Sequence, residues 1–190
     1  MKVTAGTLIA ALWISWLIFW IITAIGTKKT ETAETTGSHL SHFAPLVLGA
    51  ALLISSRLVP AALNGRFIPP SFVLSLIAAA LVVLGLGFAV AARVWLAGNW
   101  SRVVTIKQDH ELITSGPYRL VRHPIYTGLL IAVAGSALAI GEWRALCGLA
   151  IILAALLHKL SIEERLLFEH FGEDYARYRK KVSALIPFIL

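Results

Sequence analysis

The residues with the most chemical potential lie in two polar segments of an otherwise apolar chain. The first segment covers residues 109–128 and centres on Arg122, His123 and Pro124. Proline is favourable at the first position of a helix, because its missing N–H would have no partner there in any case. The free N–H groups that follow form a positively polarised helix end, which suits a carboxylate or another anionic ligand.

Two tyrosines, Tyr118 and Tyr126, lie on either side of this predicted helix start. Their rings offer flat surfaces on which an aromatic ligand could pack. Tyr, Arg and His are also typical anchors at the headgroup level of a membrane. From this segment alone, ligand binding and interfacial anchoring are equally compatible with the residues.

The second polar segment contains Lys159, Glu163 and Glu164. Lys159 and Glu163 are four residues apart and would share one face of a helix. Acidic side chains close to a membrane are costly unless they line a cavity or pair with a cation. The alternative is an exposed ion pair, with the lysine extending its charged end towards the interface.

The histidines do not predict a metal site. His110, His123, His158 and His170 contain no compact ligand motif such as H-E-x-x-H. The single cysteine, Cys147, lies in an apolar run and cannot supply a structural zinc site alone. The chain also lacks the alternation of strands and helices that a Rossmann-type nucleotide fold requires.

The elements that must position these segments are predicted to be membrane helices. Of the 190 residues, 58% are hydrophobic and 14% are charged, against ~45–50% and ~25% in typical soluble domains. The first apolar run is longer than the ~7–15 residues of a signal-peptide core, so it predicts a true span. We expect an all-α integral membrane protein with about five spans, at residues 4–25, 43–63, 67–92, 124–141 and from 145 onwards.

The fifth span should leave the membrane as one continuous helix that ends at Gly172, followed by a short amphipathic helix at residues 173–182. This pattern divides the chain into a three-span region, residues 1–92, and a core, residues 93–190. Between spans three and four lies a polar stretch, residues 93–122, that carries the first of the two segments.

The Lys and Arg residues predict the orientation. With five spans, thirteen of the 17 lie on the side that holds the first linker, the 93–122 stretch and the C-terminus. The positive-inside rule places that side, with both polar segments, in the cytoplasm and the N-terminus outside. Because the basic residues follow the membrane boundaries, the net charge of +7 does not indicate a nucleic-acid partner.

Taken together, the two segments resemble the isoprenylcysteine carboxyl methyltransferase family over roughly residues 95–190. The first block of the resemblance consists of His110, Leu112, Ile113, Gly116, Tyr118, Arg122, His123, Pro124, Tyr126 and Gly128. The second block consists of Glu163, Glu164, Phe171, Gly172, Glu173, Tyr175, Tyr178, Val182 and residues 186–189. Membrane methyltransferases of phospholipid amines and membrane sterol reductases share a looser version of this pattern.

The resemblance implies that S-adenosylmethionine binds on the cytoplasmic side. The implied cofactor-binding residues are His110, Glu111, Leu112, Ile113, Tyr118, His123, Pro124, Ile125, Tyr126, Glu163 and Glu164. Lys159, Glu163 and Arg122 are the implied catalytic residues. Lys159 stands where the family usually has an arginine that faces the substrate carboxylate; lysine keeps the charge but loses the bidentate fork.

The resemblance therefore predicts methylation of a lipophilic acceptor, such as an isoprenylcysteine carboxylate, that enters from the surrounding membrane lipids. Two alternatives remain at this point. One is an amine N-methyltransferase acting on phospholipids, in which Glu163 or Glu164 would accept the amine proton. The other is a reductase-like or non-catalytic membrane protein, which would not bind S-adenosylmethionine.

Overall fold

The structure is a computed structural model that describes residues 5–25, 30–97, 105–107 and 112–189. Five long helices dominate these residues, and a short sixth helix follows them. The helices are α1 (Ala5–Thr23), α2 (Thr36–Ile54), α3 (Phe72–Leu96), α4 (Pro124–Ile140), α5 (Trp143–Phe171) and α6 (Glu173–Lys181). Short 3-10 turns occur at Ser56–Leu58, Ala61–Asn64 and Gly116–Arg119.

The expected class, an all-α membrane protein, is confirmed. Helices α1, α2, α3 and α5 are each long and apolar enough to cross a bilayer. Helix α4 has only 17 residues, which corresponds to about 25 Å at 1.5 Å per residue. Large apolar side chains on α1 face outwards: Ile18, Ile21 and Ile22 are 53%, 68% and 61% exposed. An outer surface of this kind suits lipid chains rather than water.

The predicted second span was misplaced. Helix α2 begins at Thr36, not at Phe43, and it ends at Ile54, not at Leu63. Its start is defined by Thr35, whose hydroxyl accepts a hydrogen bond from the Ser38 N–H at 3.2 Å. Such a cap stabilises a helix start even where the next residues are polar, and a search for uncharged runs misses it.

A two-stranded antiparallel sheet was also missed by the sequence reading. Strand β1 (Thr30–Ala33) pairs with strand β2 (Thr105–Lys107), with a register irregularity between Thr30 and Thr32. The sheet links the connection after α1 to the segment that precedes α4. Strands of three and four residues are too short to show the alternation that identifies a strand in a sequence.

Helices α4 and α5 form the expected hairpin. Gly141 adopts a left-handed conformation at the end of α4, with φ of 66°, which glycine adopts without steric cost. At this end of the hairpin, Arg144 donates hydrogen bonds from Nη1 to the carbonyl oxygens of Leu52, at 2.5 Å, and Leu53, at 2.9 Å. At the opposite end, α5 continues to Phe171 and stops at Gly172, as predicted.

Close backbone contact between α3 and α4 depends on glycine. A Cβ atom at Gly85 would lie 2.5 Å from the Gly128 carbonyl oxygen and 2.6 Å from the Ala132 backbone nitrogen. These are backbone atoms, so they cannot rotate away. Small residues allow membrane helices to approach closely and to gain van der Waals contact. Gly85 thus marks a close approach of the two helices, whereas no atom lies within 4 Å of a Cβ placed at Gly87.

This contact generates a stability prediction. We expect Gly85→Ala to destabilise the protein by about 1–3 kcal/mol, because the added methyl group overpacks the α3–α4 interface. The matched control is Gly87→Ala on the same helix, which faces open space and should leave the melting temperature unchanged or slightly higher. Thermal unfolding in detergent measures both variants, and equal melting temperatures would contradict the prediction.

Candidate active site

A buried carboxylate, Glu164, organises the polar residues at the start of α4. Arg122 donates to its Oε1 from Nε, at 2.8 Å, and from Nη2, at 2.5 Å. His123 Nε2 lies 3.3 Å from the same oxygen. The side chains of Arg122 and Glu164 are each only 9% exposed. A charge this deeply buried must be paired, and here each charge supplies the other's partner.

The C-terminal segment completes this arrangement through its backbone. The N–H of Arg122 donates to the Ser183 carbonyl oxygen at 2.8 Å, and that of His123 donates to Ala184 at 3.0 Å. The hydroxyl of Thr127 donates to the Leu185 carbonyl oxygen at 2.7 Å. Residues 183–185 therefore lie alongside the start of α4. Their carbonyl oxygens accept hydrogen bonds from the N–H and hydroxyl groups of that segment.

The short helix α6 is held to the turn before α4 by two tyrosines. The Tyr178 hydroxyl donates to the Tyr118 carbonyl oxygen at 2.5 Å. Burial raises the pKa of both phenols well above the usual value for tyrosine. Both side chains consequently stay neutral across the physiological range, and the Tyr178 hydroxyl keeps the proton that it donates.

Glu163 has different surroundings from its neighbour Glu164. Its Oε2 accepts a hydrogen bond from the Tyr126 hydroxyl at 2.6 Å and lies 3.8 Å from His123 Nδ1. The rings of His123 and Tyr126 are parallel, with centroids 5.5 Å apart. Because the Glu163 side chain is 34% exposed, it combines a fixed orientation with access for a ligand.

Lys159 lies one helical turn before Glu163 and beside the same tyrosine. Its Nζ is 5.8 Å from the centroid of the Tyr126 ring, within the range of a cation–π interaction. A cation, a carboxylate and a phenol thus meet on one side of α5.

A cavity of about 1230 Å³ connects this polar group with the interior of the helix bundle. The polar end is lined by Tyr118, Arg122, His123, Tyr126, Lys159 and Glu163. The apolar remainder is lined by side chains of α1 to α5, among them Trp13, Trp16, Trp20, Leu53, Val133 and Ile152. The cavity therefore has charged side chains at one end and apolar walls along the rest of its length.

The structure brings most of the predicted site residues to this cavity. Its lining includes Leu112, Ile113, Tyr118, Arg122, His123, Ile125, Tyr126, Lys159 and Glu163. Pro124 is fully buried, and Glu164 faces Arg122 and His123. His110 and Glu111 lie outside the described residues.

Sequence reasoning did not assign the α1 tryptophans to the site. The rings of Trp16 and Trp20 stack with centroids 4.6 Å apart, and Trp13 meets Trp16 edge-on at 5.6 Å. Their spacing of three and four residues places them on one face of α1. That spacing was visible in the sequence, but nothing in it showed that this face lines the cavity.

Comparison with known proteins identifies similar chains. The family model described as isoprenylcysteine carboxyl methyltransferase (ICMT) family matches residues 76–169. A protein-S-isoprenylcysteine O-methyltransferase of Schizosaccharomyces pombe is 32% identical over 130 residues, which are 63% of this chain and 55% of that protein. A probable enzyme of the same name from Oryza sativa subsp. indica is 32% identical over 112 residues, 57% and 59% of the two chains.

A solved structure has the same fold. The eukaryotic intramembrane Ras methyltransferase ICMT, an isoprenylcysteine carboxyl methyltransferase, aligns with a TM-score of 0.54 and 25% identity. The alignment covers 82% of this chain and 54% of that one. This chain therefore spans little more than half the length of the relatives that it matches. Family model, sequence relatives and fold agree: residues 76–169 match the isoprenylcysteine carboxyl methyltransferase family.

Proposed function

We propose that this protein uses S-adenosylmethionine to methylate the carboxylate of a lipophilic, isoprenylcysteine-like acceptor that it takes from the bilayer. The observation that carries the proposal is a cavity that joins Lys159 and Glu163 to an apolar space between the helices. A charged headgroup and a long apolar tail are the two parts of such an acceptor, and the cavity offers surroundings for both.

The donor set at the polar end fits S-adenosylmethionine. This cofactor carries an ammonium group, a sulfonium and an adenine ring, and it supplies an electrophilic methyl group when bound. The Glu163 carboxylate, held by the Tyr126 hydroxyl, suits the ammonium group or another positive centre. The Tyr118 and Tyr126 rings at the cavity wall offer surfaces for the adenine. Leu112 and Ile113 in the same lining add apolar contact.

Lys159 favours a carboxylate acceptor over an amine. A carboxylate nucleophile needs no general base, but it needs a cation that holds it in line with the methyl group. Lys159 can supply that cation, since it lines the cavity beside Tyr126. A protonated amine acceptor would be repelled by the lysine and would also require a free base. Glu163 already accepts a hydrogen bond from Tyr126, and Glu164 is paired with Arg122.

Arg122 and Glu164 act in this proposal as positioning residues. Both side chains are buried in mutual contact, and they fix the start of α4 against the end of α5. The charge available to an acceptor then comes from Lys159, whereas Arg122 maintains the shape of the site. The positive-inside distribution of Lys and Arg supports a site that opens to the cytoplasm, where a water-soluble cofactor is present.

Cofactor binding tests the role of Glu163. We expect Glu163→Gln to weaken S-adenosylmethionine binding by at least about tenfold, because losing a charge-assisted contact costs ~1.5–3 kcal/mol. Calorimetry on the detergent-solubilised protein measures the affinity, with S-adenosylhomocysteine as a second ligand. The matched control is Glu169→Gln, an exposed position on the same helix. Unchanged affinity in Glu163→Gln would refute the role of Glu163, and no binding to the folded wild type would refute the methyltransferase.

Acceptor specificity tests the role of Lys159. A prenylated cysteine with a free carboxylate should be methylated, while its carboxamide and phosphatidylethanolamine should not. We expect Lys159→Gln to lower kcat/KM by about 10–100-fold and Lys159→Arg to retain most of it, since each factor of ten is ~1.4 kcal/mol of lost stabilisation. Methyl transfer from labelled cofactor provides the measurement. Methylation of phosphatidylethanolamine, with no methylation of the prenylated cysteine, would favour the amine N-methyltransferase instead.

The Arg122–Glu164 pair predicts a large effect on stability. Glu164→Ala leaves a buried guanidinium without its carboxylate, which costs about 3–5 kcal/mol. The control is Asp174→Ala, which breaks an exposed pair with Arg177 and should change the melting temperature little. Thermal unfolding in detergent compares the two variants, and a Glu164→Ala protein as stable as the control would contradict the positioning role.

A further inference from the structure

A second group of polar side chains lies at the N-terminal end of α2, outside the methyltransferase site. It consists of Glu34, His39 and His42. Glu34 Oε1 is 3.4 Å from His39 Nδ1 and 3.5 Å from His42 Nε2. One coordinating atom from each of the three residues lies within 4.8 Å of the others.

The local sequence explains why these side chains converge. Glu34 directly precedes Thr35, the cap of α2, and the two histidines follow in the first two turns of the helix. Residues three apart share a helix face, and their rings meet edge-on with centroids 5.3 Å apart. The Ser38 hydroxyl donates to Glu34 Oε2 at 2.7 Å. This bond orients the carboxylate so that its other oxygen faces the histidines.

His42 is the residue that the folded chain leaves unsatisfied. It is 1% exposed, and neither of its ring nitrogens makes a hydrogen bond to any of the residues that the structure describes. The side chain of Glu34 is likewise only 1% exposed. A buried polar atom without a partner costs about 1–3 kcal/mol, so a buried imidazole in this state is expected to have a further ligand.

Two of the three distances between the coordinating atoms match those of ligands that share one metal ion. Zinc binds imidazole nitrogen at ~2.0–2.1 Å and carboxylate oxygen at ~2.0–2.2 Å, so two ligands at a tetrahedral angle are roughly 3.3–3.5 Å apart. The observed separations of 3.4 and 3.5 Å lie in that range. They are long for hydrogen bonds between a carboxylate and an imidazolium, which are expected at ~2.7–2.9 Å.

We propose that Glu34, His39 and His42 form a binding site for a divalent transition-metal ion, with zinc as the best match. Two histidines and a glutamate are a recognised zinc ligand set that leaves a fourth position for water or another ligand. Nitrogen and oxygen donors with no thiolate also fit cobalt or nickel in the same geometry. The charge of the carboxylate offsets part of the charge of the ion in these largely buried surroundings.

The site also lies against the helix that carries the methyltransferase residues. The rings of His42 and His158 have centroids 6.5 Å apart, and His158 Nε2 is 2.8 Å from the Ser41 hydroxyl. Lys159 follows His158 directly in the sequence. An ion here would fasten the start of α2 beside the part of α5 that holds the proposed acceptor cation.

This site departs from the expectation that the chain binds no metal. That expectation weighed His110, His123, His158 and His170, and it did not weigh the pair on α2. The three ligands fall within nine residues, but the spacing Glu-x4-His-x2-His is not a motif that identifies a metal site by itself. The decisive feature is that the Ser38 hydroxyl holds the Glu34 carboxylate with its other oxygen beside the two ring nitrogens.

Direct metal binding tests the proposal. The whole chain, purified without a histidine tag and stripped with a chelator, is titrated with zinc by calorimetry and with cobalt by visible spectroscopy. We expect one ion per chain, a tetrahedral cobalt spectrum and a higher melting temperature with zinc. Loss of a residue that only hydrogen-bonds to a metal ligand already weakens metal binding by ~10–100-fold. We therefore expect His42→Gln, which removes a ligand itself, to weaken zinc binding by more than about 100-fold. The matched control, His170→Gln at an exposed position of α5, should bind as the wild type does.

Further variants separate a lost ligand from a lost fold. His39→Gln alters the less buried histidine, whose side chain is 27% exposed, and it should also weaken zinc binding. This variant provides the test if His42→Gln does not fold. Retained binding in the Glu34→Gln/His39→Gln double variant would overturn the proposal. So would a folded wild type that binds neither ion, in which case the cluster is only a pair of carboxylate–histidine contacts. None of these outcomes depends on whether the protein binds S-adenosylmethionine.

Discussion

The buried charge of Glu164 is the constraint on which the functional half of the structure depends. A carboxylate at this depth must be paired, and Arg122 and His123 contact it from the segment that enters α4. Arg122 also donates to the carbonyl oxygens of Arg179 and Val182, so one guanidinium joins the start of α4, the end of α5 and the chain beyond α6. The need to pair one charge thereby brings three distant parts of the sequence together.

Two adjacent glutamates take opposite roles because of this pairing. Successive residues of a helix point about 100° apart, so a helix that turns Glu164 inwards to Arg122 presents Glu163 to a different side. That side is the cavity, where Tyr126 holds the carboxylate and Lys159 lies close by. Glu164 therefore contributes to stability, whereas Glu163 stays accessible to a ligand.

Much of the architecture was predictable because membrane helices follow from apolar length. The α4–α5 hairpin, the continuous α5 and its end at Gly172 all agreed with the sequence pattern. The boundaries of α2 did not, since the cap at Thr35 outweighed the polar composition of its first turn. The sheet of β1 and β2 could not have been found, because pairing between short strands whose partners are 72–77 residues apart depends on the fold that brings them together.

The sequence by itself determined the class of protein and the polar residues at the charged end of the cavity. Apolar composition and the spacing of Arg122, His123 and the paired glutamates are properties of the linear chain, and they persist whatever the packing. Only the tertiary structure decided which side chains share a space. It turned one glutamate towards an arginine and the other towards the cavity, and it placed the tryptophans of α1 along the cavity wall. The direction of each side chain depends on the rotation of its helix and on the pairing of buried charges. Both involve residues that are far apart in the chain, so no local sequence pattern predicts them.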